Sequence, residues 1–194
     1  MLTTLKNAFK IKELREKILF TFAMLVVIRI GSQLPVPGVN GDFFRSWFES
    51  QNSNGAFSFF DAITGGSFIN MSILALNISP YITSSIIMQL LTIAIPKLEE
   101  MQRDGEDGRK KIVSITRYVT IVLALIQSTA MAIAFGRQGY LTHFNALNVI
   151  CAVATLTAGS AFLMWVGERI TEKGIGNGIS IVLVINIISR LPED

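Results

Sequence analysis

The sequence has few of the side chains that catalyse reactions or bind metals. Its 194 residues include one cysteine, Cys151, and one histidine, His143. A lone cysteine has no disulfide partner in the chain, and with one histidine it supplies at most half of a zinc site. We therefore expect no structural zinc, no catalytic residues and no cofactor in this chain.

Charged side chains are also scarce. They make up 16% of the chain, against about 25% in ordinary soluble domains. No charge occurs over the 35 residues of 62–96 or over the 24 residues of 144–167. This composition excludes soluble globular, disordered and fibrous proteins, and it predicts an all-α integral membrane protein.

Five apolar stretches have about the length that a helix needs to cross a bilayer, which is about 20 residues. We predict transmembrane helices at 18–34, 72–95, 112–135, 146–167 and 173–190. The predicted connections are a basic N-terminal segment at 1–17, an outer loop at 35–55 and a cytoplasmic loop at 96–111. The segment 1–17 is either a helix lying on the membrane surface or a solvated basic tail.

The basic residues predict the orientation, because loops rich in Lys and Arg stay in the cytoplasm. Thirteen of them fall on the side of the N-terminus, and three, Arg45, Arg137 and Arg190, fall on the other. We therefore expect a cytoplasmic N-terminus and an external C-terminus for this chain.

Arg29 is the one ionisable residue well inside a predicted span. It lies about 7–8 Å from the outer end of its helix, within reach of a snorkelling side chain. We favour that interpretation over a cavity-lining role. The lack of Asp, Glu, Lys and His inside the spans argues against a proton-coupled carrier and an intramembrane protease.

A short apolar and aromatic segment precedes the second predicted span. Residues 57–67 are too few to cross the membrane, and Gly65 and Gly66 should break a helix. We predict a re-entrant segment, which membranes tolerate only where protein or a water-filled cavity surrounds it. The alternative is an ordinary outer loop whose aromatic side chains rest at the interface.

Two pairs of aliphatic residues stand four positions apart, which places each pair on one helix face. The pairs are Ile78 with Ile82 and Ile179 with Leu183. Such pairs usually contact lipid or neighbouring helices, but a narrow collar of them can gate a pore by dewetting. Their spacing does not choose between these possibilities.

Four segments resemble the SecY family, the central subunit of the bacterial protein-translocation channel. They are RIGSQLPVPG at 29–38, ISPYITSSIIMQLL at 78–91, FLMWVGE at 162–168 and ITEKGIGNGIS at 170–180. The resemblance extends from about residue 14 to residue 192. Family members have ten spans in two five-helix halves related by an inverted repeat. The resemblance implies that this chain is the first half, either truncated or part of a longer protein.

The resemblance also implies roles for individual residues. It places four side chains in the family's hydrophobic pore ring: Ile78, Ile82, Ile179 and Leu183. It matches residues 56–70 to the plug that closes the pore from outside, with Phe57, Phe59, Phe60, Asp61, Gly65 and Gly66 in it. Thr83 and Gln127 match polar members of the lateral gate, and Asn77 stands where many relatives have glycine.

The implied function is a protein-conducting channel of the bacterial cytoplasmic membrane, and not an enzyme. The implied partners are SecE and SecG, the SecA ATPase or the ribosome, signal sequences, nascent polypeptides and membrane lipids, with no nucleic acid bound directly. No nucleotide-binding loop of the Walker type occurs in the sequence. The main alternative is half of a small-solute transporter with broken helices. A lipid-modifying enzyme comes third, and it would need a polar cluster that the sequence does not offer.

Overall fold

The structure is a computed structural model that describes residues 11–51, 61, 63–137 and 145–189. These residues form helices and turns with no strand among them, and Pro35 and Ser72 form an isolated antiparallel bridge. The helices are α1 Lys12–Gln33, α2 Gly41–Gln51, α3 Ser79–Ala94, α4 Pro96–Arg103, α5 Glu106–Gly136, α6 Ala146–Lys173 and α7 Gly178–Ile188. The predicted all-α class is therefore confirmed.

The chain divides into two compact units. The first consists of Met1–Pro35, Gly41–Ala75 and Phe162–Asp194. Its described helices are α1, α2, the later part of α6, and α7. The second consists of Val36–Asn40 and Leu76–Ala161, and it contains α3, α4, α5 and the earlier part of α6.

Two helices, α5 with 31 residues and α6 with 28, are long and apolar enough to cross a membrane. The pair α3 and α4 makes a third span if the two helices are counted together, although they are bent by 102°. Two other helices are not counted as spans. Helix α1 carries the charged residues Glu16, Lys17 and Arg29, and α7 has only 11 residues. The described part of the chain therefore has two or three apolar spans, and the count of five stays a prediction.

The second predicted span, 72–95, differs from the helix that the structure contains. Residues 73–78 form turns, and α3 begins at Ser79 with Pro80 in its first turn. Proline suits that position because the first amides of a helix have no internal partner. The helix ends at Ala94 because Ile95 precedes Pro96 and is extended, with φ −113° and ψ 112°. The helical part thus has 16 residues, about 24 Å.

Asn77, just before α3, has a left-handed backbone with φ +53°. Glycine adopts this region freely, and asparagine is one of the few L-residues that tolerate it. Asn77 is buried, and its carbonyl accepts a hydrogen bond from Ser160 Oγ at 3.4 Å. A backbone shape that favours glycine is thus present at the position where the resemblance expects glycine.

Helices α3 and α5 pack together through small and polar side chains spaced four residues apart. The buried residues of α5 include Thr116, Thr120, Ala124, Ser128, Ala132 and Gly136, and those of α3 are Pro80, Ser84, Met88 and Thr92. The hydroxyls of Ser84 and Thr120 hydrogen-bond to each other, and Ser128 bonds to Thr157 of α6 at 3.0 Å. Small residues let helix backbones approach closely where lipid removes the hydrophobic drive between them.

The start of α7 is held by hydroxyl and amide side chains of the first unit. Asn177 Oδ1 accepts from the amides of Ile179 at 3.1 Å and Ser180 at 3.5 Å, which caps the helix. Thr171 Oγ1 accepts from the Gly178 amide at 2.9 Å. A Cβ added at Gly178 would lie 2.1 Å from the carbonyl oxygen of Gly167 in α6, so the close approach requires glycine.

We predict that Gly178→Ala lowers the stability of the intact protein by about 1–3 kcal/mol, because the added methyl group overpacks this contact. The matched control is Gly41→Ala. Gly41 is also the first residue of a helix, but a Cβ there would meet nothing within 4 Å. The midpoint of thermal unfolding in detergent is the measurement, and equal midpoints for the two variants would contradict the prediction.

A second prediction concerns the left-handed backbone of Asn77. Asn77→Gly should lower the thermal midpoint less than Asn77→Val does, because both variants lose the asparagine side chain but only the β-branched valine is strained in this region, at a cost of roughly 1–2 kcal/mol. The same thermal measurement on the intact protein checks both variants. If valine were tolerated as well as glycine, the left-handed conformation would be wrong.

Candidate functional site

A compact segment of turns, with a short helical stretch at its start, lies shortly before α3. We call it the turn segment and define it as residues 61 and 63–72. Asp61, at its start, is fully buried. Its carbonyl accepts hydrogen bonds from the Gly66 amide at 3.2 Å and Thr64 Oγ1 at 3.0 Å. Its Oδ1 accepts from the Ile69 amide at 3.0 Å. One aspartate thus holds together both ends of the tightest part of the segment.

Gly65 and Gly66 make the reversal of direction inside the turn segment. Their φ angles are +65° and +81°, in the left-handed region that glycine adopts without a steric cost. The short helical stretch that includes Thr64 ends directly before them. The pair therefore ends the helix locally.

The turn segment is anchored to three helices of the first unit. Phe68 packs edge-to-face against Phe44 and Phe48 of α2, with ring centroids 5.5 and 6.3 Å apart. After the segment, the Ile73 amide donates to the Leu34 carbonyl at the end of α1, at 2.9 Å. A Cβ added at Gly65 would lie 2.7 Å from the carbonyl oxygen of Asn186 in α7, so the backbones of the segment and α7 are in close contact.

Arg29 has a specific partner in the turn segment. Its Nη1 donates to the carbonyl of Gly65 at 3.3 Å, and whether the side chain also reaches the membrane interface stays a prediction. The residue is half-buried in the first unit. The partner lies 36 positions away in the chain, so the local sequence around Arg29 carries no signal of this contact.

The structure places Ile82 on α3 with Ile78 directly before that helix, and Ile179 and Leu183 on α7. Ile78 is buried just before α3, and the Ile82 amide donates to its carbonyl at 3.1 Å, one turn later. Ile82 is half-buried, and so are Ile179 and Leu183 in α7. The first pair belongs to the second unit and the other pair to the first. A single ring formed by all four stays a prediction.

The two residues matched to the lateral gate lie on α3 and α5 of the second unit. Thr83 is exposed and Gln127 is half-buried. The polar bond that joins these helices comes from Ser84, next to Thr83, and from Thr120, two turns before Gln127, and the sequence analysis missed it. The signal was present, because hydroxyl and small residues recur every fourth position along α5, and Ser84 and Thr92 lie on the buried face of α3.

Three of the residues assigned to the plug, Phe57, Phe59 and Phe60, lie outside the described residues. Among the residues that are described, no group of three or more His, Cys, Asp and Glu side chains could hold a metal ion. The described contacts of the candidate site are therefore backbone contacts, hydrogen bonds and aromatic packing of the turn segment against its surroundings.

Comparisons with known proteins connect this arrangement to a family. The chain is similar to the protein translocase subunit SecY of Thermotoga maritima, with 43% identity over 97% of this chain and 46% of the relative. It is also similar to the protein translocase subunit SecY of Pseudomonas aeruginosa, with 44% identity over 94% of this chain and 41% of the relative. The chain thus spans somewhat less than half the length of these relatives.

Solved structures show the same fold. One is described as Sec61 in the canine ribosome-channel complex from the endoplasmic reticulum, with a TM-score of 0.62 and 20% identity over 91% of this chain and 36% of that chain. Another, described as the structure of a protein conducting channel, has the same TM-score, identity and coverage. The SecY family model matches residues 72–194, which is more than half of the sequence, and the chain therefore belongs to the SecY family.

Proposed function

We propose that this chain forms the N-terminal half of a channel that moves unfolded polypeptides across the cytoplasmic membrane of a bacterium. The observation that carries the proposal is the turn segment, which packs on α1, α2 and α7. The resemblance to the SecY family matches this region to the segment that closes the pore, which supports the proposal. The relatives named above are protein translocase subunits, which supports the same conclusion.

The proposed conducting part is a collar of Ile78, Ile82, Ile179 and Leu183. Aliphatic side chains without charge suit this task, because a chain of any sequence must slide past without being bound. A narrow apolar constriction also disfavours water when it is empty, which holds back ions. Aliphatic side chains can change rotamer to admit a polypeptide, since no fixed hydrogen bond restrains them.

We propose that residues 61 and 63–70 of the turn segment belong to a plug at 56–70, which closes the pore from the outer side. We also propose that Thr83 and Gln127 line the gate through which signal sequences and membrane segments leave for lipid. Movement would be driven from outside the chain, by the SecA ATPase or by the translating ribosome. The proposed subunit partners are SecE and SecG.

The proposed topology is five spans with the N-terminus in the cytoplasm, and the basic residues of the sequence support it. Half of a small-solute transporter was the alternative from the sequence. Membership in the SecY family favours the channel over that alternative.

The collar can be tested by making it polar in the intact channel. We predict that Ile78→Ser combined with Ile82→Ser raises ion conductance through the closed channel several-fold, because hydroxyls favour wetting of the constriction. The variant should also export proteins with defective signal sequences. Conductance in planar bilayers and export in cells are the measurements.

The matched control for the collar is Ile86→Ser combined with Leu90→Ser. These two aliphatic residues are also four apart on α3, but they are exposed, at 51% and 62%. The control should conduct as little as the unmodified channel. Equal conductance of both double variants would contradict the collar assignment.

The plug can be tested with two neighbouring glycines. We predict that Gly65→Ala raises closed-channel conductance more than Gly66→Ala does. Both positions have positive φ, so both substitutions strain the backbone, but only at Gly65 would the methyl group meet the Asn186 carbonyl. At Gly66 a Cβ would meet nothing within 4 Å. Equal leak from the two variants would count against a closing role for the segment.

A further inference from the structure

Two arginines of the first unit donate to the turn segment, and they do so in different surroundings. Arg29 of α1 donates to the backbone carbonyl of Gly65 at 3.3 Å, and the contact is partly buried. Arg45 of α2 donates to the side chain of Asn70 at 3.2 Å, and that contact is exposed. A guanidinium group thus bonds to the segment at two places, one partly buried and one exposed.

A small displacement of the segment at Gly65 would disturb two contacts at once. On one side its backbone is in close contact with the carbonyl of Asn186 in α7, and on the other its own carbonyl accepts from Arg29. The lack of a side chain leaves that carbonyl accessible. A guanidinium group is charged at every physiological pH, and it keeps its planar set of donors.

We propose that Arg29 is the positioning residue that keeps the turn segment in its closed place, an inference that rests on the proposed function. A hydrogen bond from a charged donor is stronger than a neutral one, and surroundings of low dielectric strengthen it further. When the segment moves away to admit a polypeptide, Arg29 loses this acceptor. The lost bond favours the return of the segment, so the contact makes opening reversible.

Arginine is the suitable residue for this task at this position. The backbone carbonyl of Gly65 accepts from the guanidinium without adding a charge of its own. The bond also does not depend on a side chain of the segment, because Gly65 has none. The segment can therefore lose and regain the contact without having to order a flexible side chain of its own.

The test measures the position of the segment directly, by chemical labelling of the intact channel in sealed vesicles. The native cysteines of the intact channel, Cys151 among them, are first replaced by alanine, and Ser67→Cys then places a thiol in the segment, where Ser67 is 4% exposed. A membrane-impermeant maleimide added at the external face of the membrane should label this thiol slowly. Labelling should become faster when the segment leaves its closed place.

We predict that Arg29→Leu raises the labelling rate roughly tenfold or more, the factor expected from losing a hydrogen bond to a charged group. Arg29→Lys keeps the charge and should raise the rate less than Arg29→Gln, which is neutral. The matched control is Arg45→Leu, which removes the exposed contact and should change the rate less than twofold, because exposed interactions of charged side chains contribute little.

A labelling rate in Arg29→Gln and Arg29→Leu equal to that of the parent would overturn the proposal, as would an equal increase in Arg45→Leu. A thiol placed at the exposed position by Ser46→Cys checks that the reagent reaches every variant equally. The thermal midpoint of each variant shows whether the protein is folded, and Arg29→Lys provides the comparison should the leucine variant fold poorly.

The labelling result is separate from the proposed function, since it does not depend on conduction. Faster labelling together with increased ion conductance supports both the positioning role and the closing role of the segment. Faster labelling without any change in conductance supports the positioning role of Arg29 and overturns the closing role.

Discussion

The described structure depends on close approach between helix backbones. In lipid, the hydrophobic effect gives helices little driving force to associate. Lipid tails are as apolar as leucine side chains, so packing and hydrogen bonds must hold the helices together. Helix α5 meets this constraint with small residues and hydroxyls on its buried face and large residues such as Tyr118, Val122 and Ile126 exposed. The arrangement reverses the usual distribution of large apolar residues in soluble proteins.

The same constraint explains why glycines determine the location of the turn segment. Gly65 lies against the backbone of Asn186, and Gly31 of α1 lies so near the side chain of Leu74 that a Cβ would come within 2.9 Å of it. Gly178 allows the start of α7 to approach α6 in the same way. A Cβ at Gly65 or Gly178 would meet backbone atoms, so each of these two contacts would have to open if a side chain had to fit. The segment is therefore located by backbone packing, to which Arg29 and Phe68 add specific bonds and ring contacts.

The sequence predicted the parts of this fold that hydropathy alone determines. The stretches 112–135 and 146–167 lie within α5 and α6, since long apolar runs in lipid have to be helical. The turns at 73–78 were not predicted, because their composition is as apolar as that of the helix that follows. The partner of Arg29 could not be predicted either. It is a backbone carbonyl, which carries no sequence signal, and it lies 36 residues away.

In the proposed channel, uncharged residues form the collar and a charged residue holds the plug. A collar that must pass chains of any sequence gains from having no group that binds them, so it is aliphatic. A plug that must return after each passage needs a restoring force, and apolar contacts supply little of this in lipid. In our proposal, Arg29 of α1 supplies it at one point, where it donates to a backbone acceptor on the segment. One arginine in the otherwise uncharged stretch 18–34 fits such a division, because a charge in the proposed collar would attract water and ions.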